Sequence, residues 1–154
     1  MSIMKWRMPR ALVGFGLVSI SACVSQPTAE KAAGIIFTAA DTASSKTLKL
    51  GQSFEVRVLG TPTAGYLWDV QSLPAGVVLI AKTSRPENPE GRKQGMVGGN
   101  DWTIFRFQTI SAPADLQGTA GQSLVLRYGR PWELEKGRPA DQIWRMQIAV
   151  KPAG

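Results

Sequence analysis

Apolar side chains fall on every second position in four separate stretches, and no other feature of this chain constrains its fold as much. Phe54, Val56 and Val58 alternate with Glu55 and Arg57, and Phe105 and Phe107 alternate with Ile104 and Arg106. Leu124, Leu126 and Tyr128 alternate with Val125 and Arg127, and Trp144, Met146, Ile148 and Val150 with Arg145, Gln147 and Ala149. Successive side chains of a strand point to opposite faces, so a repeat of two marks a strand with one face in a core. Each such face needs a second layer to cover it.

Shorter runs fill the intervals. Leu48 and Leu50 alternate with Thr47 and Lys49 before Gly51-Gln52 turns the chain, and residues 66–70 give another strand, closed by Leu73-Pro74-Ala75-Gly76. Val77-Val78-Leu79-Ile80-Ala81 is apolar throughout and reads as a buried strand. Residues 84–99 carry Pro86, Pro89, Gly91, Gly95, Gly98 and Gly99 among charges, and read as a long mobile loop without helical period. Residues 129–141 read as a second such connection. No helical repeat follows the first 22 residues. Six to eight short strands at this spacing predict an antiparallel β-sandwich or barrel. The Trp and Phe side chains, on the alternating faces, are expected in its core.

The first 45 residues have a different organisation. Lys5, Arg7 and Arg10 precede an apolar run, Ala11 to Ile20, with no acid among them. That run is short of the roughly 20 residues a membrane span requires, so it reads as the core of an export signal. Ile20-Ser21-Ala22-Cys23 then resembles a bacterial lipobox, in which the cysteine is lipidated after cleavage before it. Residues 1–22 are thus expected to be a lipoprotein signal peptide. Residues 23–45, rich in Ser, Thr, Ala, Gln and Pro, read as a lipidated tether, with Ile35-Ile36-Phe37-Thr38 as a marginal first strand. Residues 46–154 remain for one folded domain. Val24, where aspartate would retain a lipoprotein at the inner membrane, points to the outer membrane of a bacterial envelope, facing the periplasm.

Two counts narrow the chemistry. The 154 residues include no histidine, which removes Ser-His-Asp and Cys-His catalysis and every His-ligated metal site. The single cysteine, Cys23, allows no internal disulfide or thiolate cluster. Asp69, Asp101, Asp115 and Asp141 lie far apart and suggest no carboxylate pair for glycoside hydrolysis. No cofactor or metal site is expected. Setting aside the three cations of the export segment leaves 15 basic against 11 acidic residues, which argues against a nucleic-acid partner.

The loop Leu59-Gly60-Thr61-Pro62-Thr63-Ala64-Gly65-Tyr66-Leu67-Trp68 carries the functional reading. Pro62 fixes its own φ and biases Thr61 towards an extended shape, while Gly65 admits a positive φ. Tyr66 and Trp68 root the loop in the core and leave Thr63 and Ala64 as a stiff tip, suited to binding because little ordering entropy is lost on contact. Two further loops are notable, Gly95-Met96-Val97-Gly98-Gly99 and Arg130-Pro131-Trp132.

In order and placement these three loops resemble those of the chagasin-type inhibitors of papain-like cysteine peptidases, whose motifs read Asn-Pro-Thr-Thr-Gly-Tyr/Phe, Gly-x-Gly-Gly and Arg-Pro-Trp/Phe. The resemblance covers about residues 47–150 and implies an all-β, immunoglobulin-like antiparallel β-sandwich with the loops at one end. It further implies a wedge of Thr61, Pro62, Thr63, Ala64, Gly65 and Tyr66 entering the peptidase cleft. Gly98 and Gly99 would lie close to one wall, and Arg130, Pro131 and Trp132 would grip the other. Inhibition would be reversible and steric, by a monomer without catalytic residues. Thr61 replaces the usual asparagine, Ala64 the second threonine, and the first glycine of the second loop is displaced to Gly95. The competing reading is a non-inhibitory, lipid-anchored adhesion or assembly module with the same fold.

Overall fold

A computed structural model of the chain describes residues 34–112 and 123–152. Eight strands form two four-stranded sheets. The first sheet contains β1 (Ile35–Phe37), β3 (Ser53–Gly60), β5 (Val77–Pro86) and β6 (Asp101–Thr109), in the order β1-β3-β6-β5. The second contains β2 (Ser45–Lys49), β4 (Leu67–Ser72), β7 (Ser123–Gly129) and β8 (Gln142–Lys151), in the order β2-β8-β7-β4. This is the A-B-E-D and C-F-G strand order of immunoglobulin domains, with β2 added beside the last strand. Trp68 occupies the core position on β4 where such domains place a tryptophan.

The alternating stretches became strands with their expected faces inward. Phe54, Phe105, Phe107, Leu124, Leu126 and Met146 have no exposed surface. Phe54 and Phe107 stack at 5.2 Å between ring centroids, and Phe37 meets Phe54 edge-on at 5.7 Å. Burying six such side chains, at roughly 1.5–3 kcal/mol each, supplies much of the drive to close the two sheets.

Four features differ from the sequence reading. The sandwich is not wholly antiparallel, because β1 runs parallel to β3 and β2 parallel to β8. The chain enters on one sheet and crosses to the other through a single 3-10 turn at Ala39–Asp41, so each edge receives a strand running with its neighbour. The packed body reaches back into the stretch read as tether, since β1 is a strand and Phe37 is buried. The apolar run Val77 to Ala81 is not buried. Only Val77 is covered, because β5 is an edge strand paired to β6 alone, with a bulge between Leu79 and Ala81.

The fourth difference lies between residues 84 and 99. β5 continues to Pro86, and a short helix α1 (Pro89–Lys93) follows. Its start signals are local: the Asn88 side chain accepts from Gly91 N–H at 2.9 Å, and Pro89 sits in the first turn. Five residues are too few for a helical period to show. The same holds for α2 (Pro131–Leu134), begun by a second proline. The proposed signal peptide and Cys23 lie outside the described residues, as does Asp115.

Candidate functional site

Strand register places the three loops at one end. Gly60 pairs with Asp101, and Asp101 also faces Pro86, so the first loop and the connection through α1 leave the first sheet together. Leu67 pairs with Gly129 and Tyr128 with Gln142, so the first and third loops also share the end of the second sheet.

The first loop is one 3-10 turn, Pro62–Ala64, closed by Gly65 N–H donating to Pro62 O at 2.9 Å with Gly65 at φ 80°. That positive φ is where a side chain would be strained. An added Cβ would also lie 2.5 Å from the Trp132 ring, which would have to shift to admit it. Below the turn, the Tyr128 hydroxyl accepts from Thr61 N–H at 2.7 Å, and Trp68 Nε1 donates to Leu59 O at 2.8 Å. Tyr66 stacks on Tyr128 at 5.5 Å, and Trp68 packs on Tyr128 at 4.9 Å. Thr63 and Ala64 are exposed above this aromatic root.

The neighbouring loops brace the turn from both sides. On one side Thr61 Oγ1 donates to Asn100 Oδ1 at 3.0 Å, and Asn100 Nδ2 donates to Glu87 Oε2 at 3.2 Å. The threonine that replaces the usual asparagine is thus held by an amide from the second loop. On the other side Arg130 Nε donates to Ala64 O at 3.3 Å, and its guanidinium lies over the Tyr66 ring, 4.6 Å from the centroid. Arg130 also pairs with Glu133 at 3.6 Å. Arg130 thus braces the first loop through Nε, while Nη1 is held by Glu133 on its own turn and over a third of the side chain stays in solvent. Trp132 touches Gly65 with one ring edge and keeps half its surface in solvent.

Gly98 and Gly99 adopt φ of 85° and 97°, with nothing of their own chain within 4 Å of an added Cβ. Backbone conformation demands glycine there; internal packing does not. Beside them, Met96 is 57% and Val97 96% exposed, the latter the most exposed large apolar side chain among the described residues. These two were not singled out as site residues from sequence. The available signal was two apolar residues in a glycine-rich charged loop that no strand alternation claimed. Their segment is held by Arg92 Nη2 on Asp101 Oδ1 at 2.6 Å and by Met96 N–H on Gly91 O at 3.0 Å.

Groups of three or more His, Cys, Asp or Glu able to hold a metal are absent from the described residues. A hollow of about 440 Å³ beside Thr61 and Asn100, floored by Trp68, Tyr128 and Trp144, is lined by no carboxylate, amine or guanidinium. The buried carboxylate, Glu55, lies on the outer face of the first sheet between Arg57 (2.7 Å) and Arg106 (3.1 Å). Burial alone would raise its pKa, but the hydrogen bonds and charges of the two arginines outweigh this and hold it below the ordinary glutamate value.

The profile of the family described as Chagasin family peptidase inhibitor I42 matches residues 47–148. The chain belongs to the chagasin family of peptidase inhibitors. Its fold is similar to the crystal structure of the cysteine protease inhibitor EhICP2 from Entamoeba histolytica, with a TM-score of 0.60 and 19% identity over 76% of this chain and 95% of that one. It is also similar to the solution structure of amebosin, with a TM-score of 0.50 and 21% identity over 76% of this chain and 97% of that one. The comparison with curated proteins found no match.

Proposed function

We propose that this chagasin-family protein is a reversible, tight-binding inhibitor of papain-like cysteine peptidases, acting by shape. The observation that carries the reading is the tip Thr63-Ala64, exposed on a turn that Asn100 and Arg130 brace from opposite sides. It is flanked by the exposed apolar side chains Met96, Val97 and Trp132. The turn enters the peptidase cleft as a wedge of Thr61 to Tyr66. Val97 with Gly98 and Gly99 covers one wall, and Trp132, carried by Pro131, covers the other. Preorganisation leaves little conformational freedom to lose on binding. A tight turn offers no extended backbone for the catalytic thiolate to attack, so the complex persists uncleaved. The protein works as a monomer, held to a bacterial outer membrane by lipid on Cys23 and facing the periplasm.

Titration of papain with the purified protein tests the function. Stoichiometric loss of activity is the expected result, and full activity at micromolar protein overturns it in favour of a non-inhibitory envelope module. The anchor is tested separately, since intact mass of the mature protein carries a diacylglyceryl increment on Cys23 or does not.

A further inference from the structure

We infer that the groove between the open edges of β4 and β5 is a fourth contact with the target peptidase, taking a carboxylate at the rim of its cleft; the inference deepens the inhibitor reading above and rests on it. Strand order sets the geometry. β4 ends the second sheet and β5 ends the first, and among the described residues neither has a strand on its outer side. The first loop crosses from β3 in one sheet to β4 in the other. The second loop joins β5 to β6 within the first sheet, and the third joins β7 to β8 within the second. The three loops therefore form a row that runs from sheet to sheet. With the outer two on opposite walls of the cleft, the cleft itself runs at right angles to that row, over the open edges where the sheets part.

One of these open edges holds a groove of about 260 Å³ beside the first loop. Pro62, Tyr66 and Leu67 line one side of it, and Lys82, Ser84 and Thr103 the other. Leu67 is 45% exposed there. Lys82 pairs in register with Phe105, a core residue, so it takes an inward position on the edge strand. Its ammonium lies over the Phe105 ring, 5.4 Å from the centroid, and 41% of the side chain stays in solvent.

The charge at the groove is incompletely matched. Asp69 lies 3.9 Å from Lys82 Nζ and 3.7 Å from Arg127 Nη2, so one carboxylate faces two cations, both beyond hydrogen-bond distance. Two observations name the occupant. Pro62 and Tyr66 belong to the groove and to the first loop alike, so a protein that receives the wedge also reaches the groove. The excess cation calls for an acid on that protein, with apolar surface beside it to lie against Leu67. Complementary charge at such a rim acts on encounter and on the choice of partner.

The test compares inhibition constants against papain. Lys82→Glu should raise the constant about tenfold at low ionic strength, and added salt should narrow the gap to the wild type. Lys46→Glu makes the same change of charge at an exposed position of β2 and should match the wild type. Amine acylation read by peptide mass gives an answer without a variant. In the papain complex Lys82 should react more slowly than in the free protein, while Lys46 reacts alike in both. Normal inhibition by Lys82→Glu refutes the groove contact alone and leaves Lys82 as a guard against edge pairing. Should that variant not fold, equal reactivity of Lys82 in free and bound protein refutes the contact. Failure of the wild-type protein to bind papain refutes the inhibitor reading, and the contact with it.

Discussion

The two ends of the sandwich share the same strands and are finished by different bonds. At the loop end, side chains reach between loops: Asn100 and Arg130 hold a turn to which neither is adjacent in sequence, and Trp132 closes over Gly65. At the opposite end the turns are closed mainly from within the core. Thr109, fully buried, donates its hydroxyl towards Lys49 O (2.6 Å) and Gln52 O (3.2 Å) and accepts from Gln52 N–H (2.9 Å). One end therefore presents a shape made rigid by its neighbours, and the other is a seal on the core. The difference accords with the proposal that the first end recognises a peptidase, and gives the second a part in holding the core closed.

Substitutions should separate the two ends. The largest effect on inhibition is expected from Trp132→Ala, which should cost about 2 kcal/mol of binding, roughly thirtyfold in the inhibition constant of papain. A loss confined to thermal stability would instead make Trp132 a packing residue. Thr63→Glu places bulk and charge on the tip and should raise the inhibition constant at least tenfold, with the unfolding midpoint unchanged. Unaltered inhibition would remove the wedge. Thr109→Val should do the reverse. It strands buried backbone groups at a cost of about 1–2 kcal/mol in denaturant unfolding, and leaves papain inhibition as it was.

The smallest effect concerns neither end. Glu55 is ionised between two arginines in the folded state, so its folded pKa lies below the unfolded value. Its contribution to stability is complete above the unfolded pKa and fades as pH falls through the folded one. Glu55→Gln should therefore destabilise the protein by about 1 kcal/mol at neutral pH. That difference should shrink towards zero as pH falls through the folded pKa, as followed by denaturant titration at several pH values.

Residues whose partners lie close in sequence were the legible ones. The alternation of Phe54, Val56 and Val58 announced its buried face, and Pro62 with Gly65 announced a tight turn, because each depends on local backbone geometry. Val77 to Ala81 misled because composition reports apolarity and not position, and an edge strand leaves apolar side chains uncovered. α1 and α2 were too short to show a period, although Asn88-Pro89 carried a start signal. Arg130 could be placed in the third loop from its motif. Its occupation by Ala64 O and Tyr66 depends on two loops meeting across 66 residues of chain, which no local pattern encodes. The bracing by Asn100 is hidden for the same reason.

The most direct test of recognition by the loop end is amide hydrogen exchange of the protein with and without bound papain. Binding by that end predicts slowed exchange across residues 60–66, 96–100 and 130–133, with residues 49–52 and 109–111 unchanged. Slowed exchange at residues 49–52 and 109–111, with the three loops unaffected, would contradict it.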